Sequence, residues 1–381
     1  MLSNIRWGSC LFLPLLWNFT SALPQSATSS ASSSSSTAVA CNNSPSLCNR
    51  AYSNITHLGA HDSPFVSNSS NGYTLSGNQF YGSTEQLSAG VRLLTAQLHN
   101  ANSSTGQTEI HLCHTDCELY DAGTLEDWLS DIKNWMDDNP NDVVTILLVN
   151  SDDNDASDIG SVFESSGITK YAYTQTSSSA PTSWPTLQTL ISADTRLITF
   201  IASLTSSGNS AAPYLSDEFT YVFENPYTVT SPSNFSCTPD RPSTLGGSVS
   251  EAASSNMLFL MNHFLDTSVI SDIDVPDVNA ANATNSPDES VTGSLGASAA
   301  QCAATYGKAP NFLLVDWFNV GPAIDTVDNL NGVTDGQGRT NVSDRILSQN
   351  AKGGAVALES GVSNSIIALV IGLVVVISGL L

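Results

Sequence analysis

The chain has 381 residues, of which 35 are acidic and 11 basic, so its formal net charge is −24 at pH 7. This excess of negative charge argues against nucleic acids and anionic membrane surfaces as partners, because the long-range field repels polyanions. The length suffices for one large domain with a well-buried core, and we expect a monomer.

The N-terminal segment predicts secretion. Residues 1–22 combine Arg6, an apolar run over 11–17 and small residues near Ala22, a pattern typical of a signal peptide. Residues 23–40 are rich in Ser, Ala and Thr, and such a low-complexity linker cannot bury a core. The globular domain is therefore predicted over residues 41–345.

Within that domain, strand-like and helix-like stretches alternate. The predicted strands, mostly continuous apolar runs typical of strands buried on both faces, are residues 55–59, 91–98, 143–150, 196–202, 220–223, 257–263 and 312–318. Helices are predicted over residues 84–89, 124–138 and 185–193, the second with Thr124 as its N-cap. This alternation predicts an α/β fold, either a parallel barrel or a doubly wound sheet, and histidines at two strand ends favour a single-domain barrel.

The cysteines also indicate an extracellular protein. Of seven cysteines, Cys10 falls in the signal peptide, and the remaining six allow fifteen pairings. The short spacings favour Cys41–Cys48 and Cys113–Cys117, which leaves Cys237–Cys302. The alternative is a zinc site with Cys113, Cys117, His111 and His114, but oxidising compartments pair thiols and no second ligand cluster follows.

N-glycosylation sequons are spread over the predicted domain and indicate a glycosylated surface. Their acceptor residues are Asn42, Asn54, Asn68, Asn102, Asn234, Asn282 and Asn341.

The C-terminal segment predicts a glycosylphosphatidylinositol (GPI) anchor signal. Residues 346–365 contain small residues suited to a stalk and attachment site, and residues 366–381 form an apolar run with no basic flank. A single transmembrane helix is the alternative. The run is shorter than the roughly 20 residues that span a bilayer, and no Lys/Arg cluster accompanies it, so the anchor is favoured.

Two histidine motifs carry the chemistry. His61 lies in the sequence HLGAHDSP of residues 57–64, and His114 lies in LCHTDC of residues 112–117. Each follows a strand-like run, and parallel α/β folds place catalytic groups at the carboxyl ends of strands. Imidazole titrates near neutral pH, so the pair predicts an acid/base site.

These motifs, with the sequence GVRLL at residues 90–94 and NDVVTILL at 141–148, resemble the phosphatidylinositol-specific phospholipase C superfamily. More closely, it resembles the fungal secreted PLC-like phosphodiesterases. The resemblance runs from about residue 54 to residue 319, and it is specific in its first half and diffuse in its second. It implies a distorted TIM barrel that cleaves a phosphodiester.

The resemblance also implies roles for individual residues. His61 matches a general base on the inositol 2-hydroxyl, which attacks phosphorus, and His114 matches a general acid on the departing diacylglycerol oxygen. Asp62 follows the first histidine as it does in the family. Asp316 matches a late-strand aspartate that partners an active-site histidine.

One motif of the family is missing. Bacterial members carry Asp-Ile-Arg at the end of the second strand, and metal-dependent eukaryotic members hold calcium with acidic residues there. The matching residues here are Thr95, Ala96 and Gln97. Gln97 can still donate a neutral hydrogen bond, and His99, two residues later on the same face, would supply positive charge when protonated.

Trp317, beside Asp316, is predicted to form a platform for an inositol or sugar ring. No cofactor is predicted: the acidic run over residues 152–155 suggests calcium, but it lacks the glycine and glutamate of an EF-hand loop, so calcium is not supported.

Together these features predict an extracellular, GPI-anchored phosphodiesterase of lipid metabolism that uses no metal. Its partner would be a phosphodiester or phospholipid headgroup, with membrane contact only through the lipid anchor. The alternative is a catalytically inactive barrel displayed as a surface or cell-wall binding glycoprotein, and the loss of the Asp/Arg motif is what favours it.

Overall fold

The computed structural model describes residues 39–204, 210–270 and 273–347. The predicted signal peptide (1–22) and hydrophobic tail (366–381) lie outside the described residues, as does nearly all of the predicted linker (23–40) and stalk (346–365). No described helix combines the length and apolar character needed to cross a membrane.

The described chain alternates strands and helices. The strands are β1 His57–Ala60, β2 Leu93–Asn102, β3 Thr108–Cys113, β4 Asp121–Thr124, β5 Val144–Asn150, β6 Leu197–Ala202, β7 Leu215–Asp217, β8 Val222–Glu224, β9 Leu258–Asn262, β10 Asp266–Ile270, β11 Ile273–Pro276 and β12 Phe312–Val315. The helices are α1 Ser83–Ala89, α2 Leu125–Asp138, α3 Ala156–Ser165, α4 Leu187–Ser192, α5 Glu218–Tyr221, α6 Val249–Ser254, α7 Ala281–Thr284, α8 Leu295–Tyr306 and α9 Ala323–Asn331.

Eight of these strands form one parallel sheet in the order β7-β6-β5-β2-β1-β12-β9-β8. The two edge strands, β7 and β8, are joined in sequence by the single helical turn α5, which contacts both of them. The turn therefore spans the gap that strand pairing leaves open among the described residues. The fold is a distorted TIM-type α/β barrel, which confirms the predicted fold class.

Alternation along the strands divides the apolar residues between two cores. On β2, Leu93 packs into the barrel interior with Phe200 and Phe312, whereas Leu94 packs outward against helices with Ile146. Because both faces of each strand are covered, the strands read as continuous apolar runs rather than as alternating ones.

Helix α2 has the predicted bounds and N-cap: the Asp127 backbone N–H donates to Thr124 Oγ1 at 3.1 Å. Its apolar face is buried through Leu129 and Ile132. The Trp128 indole N–H donates to Ser83 Oγ at 2.8 Å, which ties α2 to α1. The other predicted helices correspond to α1 and α4 with small shifts at their ends.

All seven predicted strands are present, with ends shifted by up to four residues, and two of these shifts have a clear physical reason. The segment predicted as a strand from Thr220 is helical up to Tyr221, because this turn carries the chain between the two edges of the sheet. The strand predicted up to Phe318 ends at Val315, and the next residues form a loop of the candidate site. The sequence missed β7, which has three residues, and the antiparallel pairs β3–β4 and β10–β11.

The structure confirms the three predicted disulfides, Cys41–Cys48, Cys113–Cys117 and Cys237–Cys302. A cysteine in a disulfide has no free thiolate to bind a metal, so the zinc alternative at Cys113 and Cys117 is wrong.

Most predicted glycosylation sites lie on the surface. The side chains of Asn54, Asn102, Asn234, Asn282 and Asn341 are exposed, and that of Asn68 is half-buried. The fold contradicts the prediction at Asn42, which is buried. Its Nδ2 donates to the Val143 carbonyl and its Oδ1 accepts from the Val143 N–H, so a glycan on Nδ2 would break this pairing.

Candidate functional site

The candidate site lies at the carboxyl ends of three adjacent strands. β1 pairs in parallel with both β12 and β2, so the residues that follow these strands meet at one end of the barrel. His61 directly follows β1 and Asp316 directly follows β12, while Gln97 lies near the end of the barrel portion of β2. The backbone N–H of His61 donates to the Val315 carbonyl at 2.9 Å, which fixes the start of the first loop.

The His61 ring is held on three sides. Its Nδ1–H donates to Asp316 Oδ1 at 2.9 Å, and Asn78 Nδ2 donates to the same carboxylate oxygen at 3.1 Å. The ring stacks on Phe264 with 3.9 Å between ring centroids and an interplanar angle of 3°. This arrangement fixes the tautomer and directs Nε2 towards Asp62.

Asp62 is the centre of the site. Its Oδ2 lies 3.6 Å from His61 Nε2 and 3.4 Å from His114 Nε2, and it accepts a 2.8 Å hydrogen bond from Gln97 Nε2. Asp62 is only 3% exposed, and its backbone N–H donates to Thr95 Oγ1 at 2.8 Å. Three side-chain nitrogens from different segments therefore converge on one buried carboxylate oxygen.

His114 reaches this point from the small loop closed by the Cys113–Cys117 disulfide. Its backbone N–H donates to the Tyr120 carbonyl at 2.9 Å, and its ring lies 5.1 Å from the Phe65 ring. The Thr115 N–H donates to Gln97 Oε1 at 2.9 Å. The Gln97 amide thus connects the disulfide loop to Asp62.

A residue with positive φ follows each of the three principal side chains. Asp62 (φ 47°) follows His61, Thr115 (φ 65°) follows His114, and Trp317 (φ 49°) follows Asp316. Residues other than glycine rarely adopt this conformation, which costs about 1–3 kcal/mol and persists where the surrounding structure enforces it. Such strained positions cluster at functional sites, and here they coincide with the three loops that present the histidines and their partner.

The surroundings shift the two histidines in opposite directions. Burial lowers the pKa of His61, but the charges of Asp62 and Asp316 and the hydrogen bond to Asp316 outweigh it and raise this pKa to about 9. Burial lowers the pKa of His114 below its ordinary value, and the opposing effect of Asp62 does not compensate. At neutral pH His61 is therefore an imidazolium and His114 is neutral, so the pair carries one positive charge.

Five predicted site residues are brought together: His61, Asp62, Gln97, His114 and Asp316. Two predicted substrate-binding residues lie elsewhere.

Trp317 is 4% exposed and packs against Phe80 with ring centroids 4.4 Å apart, which contradicts its predicted role as an open platform. Its backbone turns the side chain into the protein, away from the loop surface that the sequence suggested. His99 lies further along β2, where its Nδ1 donates to Asp152 Oδ1 at 3.2 Å.

Several residues of the site were missed. Asn78 comes from a loop without motif or periodicity, so no signal in the sequence could have revealed it. Phe264 and Asp266 closely follow β9, and the rule that strand ends carry functional residues could have found them. Burial, together with the charge of Asp316, raises the pKa of Asp266 to about 6.

The residues around Asp62 do not fit a calcium ion. Calcium takes six to eight oxygen ligands, whereas Asp62 Oδ2 is surrounded by three nitrogens and position 97 is an amide. Across the described ranges, no three His, Cys, Asp or Glu side chains form a ready metal site.

Comparison with known proteins identifies relatives over most of the chain. The family model PI-PLC X 1 matches residues 47–331. The PI-PLC X domain-containing protein 1 of Arthroderma benhamiae is 36% identical over 77% of this chain and 90% of its own length. An uncharacterized secreted protein of the same organism is 36% identical over 74% of this chain and 60% of its own length.

The solved structures with structural similarity to this chain include two phosphatidylinositol-specific phospholipases C. The enzyme from Listeria monocytogenes is 16% identical, with a TM-score of 0.46 over 75% of this chain and 95% of its own. The enzyme from Staphylococcus aureus is 16% identical, with a TM-score of 0.46 over 76% of this chain and 97% of its own.

Proposed function

Because the chain belongs to the PI-PLC X family, we propose that it cleaves an inositol-type or related phosphodiester by acid–base catalysis with His61 and His114. The observation that supports this most directly is the convergence of both Nε2 atoms on Asp62 Oδ2, at 3.6 and 3.4 Å. A phosphodiester needs one proton removed from the attacking hydroxyl and one delivered to the leaving oxygen, and two imidazoles supply both transfers.

In the proposed mechanism, His61 Nε2 accepts the proton of a substrate hydroxyl adjacent to the phosphate. The hydroxyl oxygen attacks phosphorus and the bond to the leaving alcohol breaks. His114 Nε2 donates a proton to that departing oxygen. Asp316 holds the His61 Nδ1–H and stabilises the imidazolium that forms, which is the arrangement of other Asp–His pairs that act as bases.

In this mechanism the active form of the pair has one imidazolium and one neutral imidazole. Because the resting imidazolium is His61, its proton must pass to His114 before His61 can act as the base. Activity should therefore be highest between the two pKa values. The lower one belongs to His114 and lies below the ordinary histidine value, and the upper one belongs to His61 and is about 9. We expect kcat/KM to fall at acidic pH, where both histidines are imidazolium ions and no base is left. It should fall again above about pH 9, where both are neutral and no acid is left.

The measurement is kcat/KM for a soluble inositol phosphodiester from pH 4 to pH 10. The Asp131→Asn variant, altered on the exposed face of α2, serves as control and should give the same profile. If kcat/KM keeps rising above pH 9, or does not fall at acidic pH, the requirement for one imidazolium and one neutral imidazole is contradicted.

The site has little positive charge to stabilise the transition state. Within the described residues, Asp62 and Asp316 form ion pairs only with His61 and His114, and with no lysine or arginine. Losing one donor to the developing charge typically costs about 10²–10³ in rate. We therefore expect a lower turnover rate than that of an enzyme whose site includes such a donor. The same feature supports the second candidate, an inactive barrel that serves as a surface or cell-wall binding glycoprotein.

We also propose that the protein acts outside the cell, held at the surface by a GPI anchor whose signal is the apolar run of residues 366–381. Three disulfides and a relative described as secreted support the extracellular location. Deleting residues 366–381 should move the protein from the membrane fraction to the culture medium, as judged by immunoblotting. Equal release of the intact and truncated chains would refute the anchor.

A further inference from the structure

A second pair of histidines lies outside the proposed catalytic site. β2 extends beyond the barrel and pairs with β3 in an antiparallel ribbon, in which His99 is directly opposite His111. Leu98 and Leu112 face the helices on the other side of this ribbon, in the outer core. Directly opposite residues of an antiparallel pair project to the same face with neighbouring Cβ atoms, so both histidine side chains leave the ribbon on one face from adjacent positions.

Each of these rings is oriented by a carboxylate from the neighbouring strand. His99 Nδ1 donates to Asp152 Oδ1 at 3.2 Å, and Asp152 follows β5 on one side of the ribbon. His111 Nδ1 donates to Asp121 Oδ2 at 2.9 Å, and Asp121 belongs to β4 on the other side. Each carboxylate therefore occupies the Nδ1 side of its ring and leaves the Nε2 atom for another contact.

Both Nε2 atoms are buried and have no hydrogen-bond partner. Polar atoms buried in this way are rare, because leaving them unpaired costs free energy, and each calls for an explanation. A carboxylate on one ring nitrogen with the other nitrogen free is the arrangement found in metal-binding histidines, where the carboxylate fixes the tautomer and raises ligand basicity. A third donor is close: Glu109 Oε2 lies 3.7 Å from His111 Nε2.

We propose that His99 and His111 form a binding site for a transition-metal ion such as Zn²⁺ or Cu²⁺, with Glu109 or water completing its coordination. Imidazole nitrogens suit these ions, whereas calcium and magnesium prefer oxygen. The described residues contain no complete three-ligand group as they stand, so the proposed site requires the two imidazoles and the Glu109 carboxylate to close around the ion. The site lies two residues beyond Gln97 on the same face of β2, about 7 Å along the strand.

The test is a Zn²⁺ titration of the purified, chelator-treated, disulfide-bonded protein in competition with a chromophoric chelator. The wild-type protein should bind one equivalent of Zn²⁺. The His99→Ala and His111→Ala variants should each lose this binding. Asp121→Asn and Asp152→Asn should weaken this binding by about 10–100-fold, since each removes a carboxylate that orients a ligand. His114→Ala should keep the equivalent, which distinguishes this pair from the histidines around Asp62.

Thermal unfolding without metal establishes that each variant is folded, and His99→Gln and His111→Gln replace the alanine variants if those fail to fold. The proposal is overturned if the wild type binds no stoichiometric Zn²⁺. It is also overturned if the His99 and His111 variants bind as tightly as the wild type, or if the equivalent disappears only in His114→Ala. None of these outcomes depends on whether the protein cleaves a phosphodiester.

Discussion

Replacing His61 with alanine is expected to lower kcat/KM for an inositol phosphodiester with an alkyl leaving group by about 10²–10⁴-fold, because the attacking hydroxyl loses its proton acceptor. Replacing His114 with alanine should have an effect of similar size on this substrate, since an alkoxide leaves poorly without a proton. The measurement is initial-rate kinetics on purified variants whose folding has been verified by circular dichroism.

A second substrate separates the two roles. With a p-nitrophenyl leaving group, departure needs little protonation, so His114→Ala should recover most of the wild-type rate. His61→Ala should stay inactive, because the nucleophile still has to be deprotonated. If instead His61→Ala recovers and His114→Ala does not, the roles of acid and base are exchanged. If neither variant loses activity towards the alkyl substrate, the pair is not catalytic.

Replacing Asp316 with asparagine is expected to lower kcat by about 10³–10⁴-fold while leaving the fold intact. The amide can still hydrogen-bond to His61 Nδ1, but it favours the wrong tautomer and no longer stabilises the imidazolium. The carboxylate also raises the pKa of His61, so its removal should lower that pKa from about 9. The alkaline limb of the pH profile should therefore move to lower pH.

This pH shift separates a positioning role of Asp316 from a merely structural one. A variant that only destabilised the barrel would lose active protein without moving the limb. Asp131→Asn is the matched control, because it removes a carboxylate from an exposed position on α2 and should change neither kcat nor the profile. An unchanged alkaline limb in Asp316→Asn would show that the carboxylate does not set the pKa of His61.

The sequence predicted the barrel because its central strands are continuous apolar runs, and burial on both faces requires such runs. It could not predict α5, since the residues around Tyr221 are typical of a strand and become helical only where the chain spans the edge of the sheet. The end of β12 was misplaced for a similar reason. Trp317 extends the apolar run, but a backbone turn with φ 49° directs its ring into the core.

The candidate site was partly predictable for a physical reason. His61 and Asp316 follow parallel strands, whose carboxyl ends lie at the same end of the barrel, whereas His114 follows β3, which runs antiparallel to β2 and so returns towards that end. The position of Asp62 between both imidazoles was not predictable, because it depends on positive φ at Asp62 and on the disulfide loop that carries His114. The contribution of Asn78 depends entirely on how its loop folds over β12.

The central claim is that the two histidines cleave a phosphodiester by attack of a neighbouring hydroxyl. The most direct measurement follows phosphatidylinositol and the purified protein by ³¹P NMR between pH 5 and pH 9, with His61→Ala as reference. The mechanism predicts that a cyclic inositol phosphodiester appears first, and only with the intact histidine pair. If the folded, disulfide-bonded protein gives no phosphorus-containing product, or gives the same product without His61, the proposed activity is contradicted.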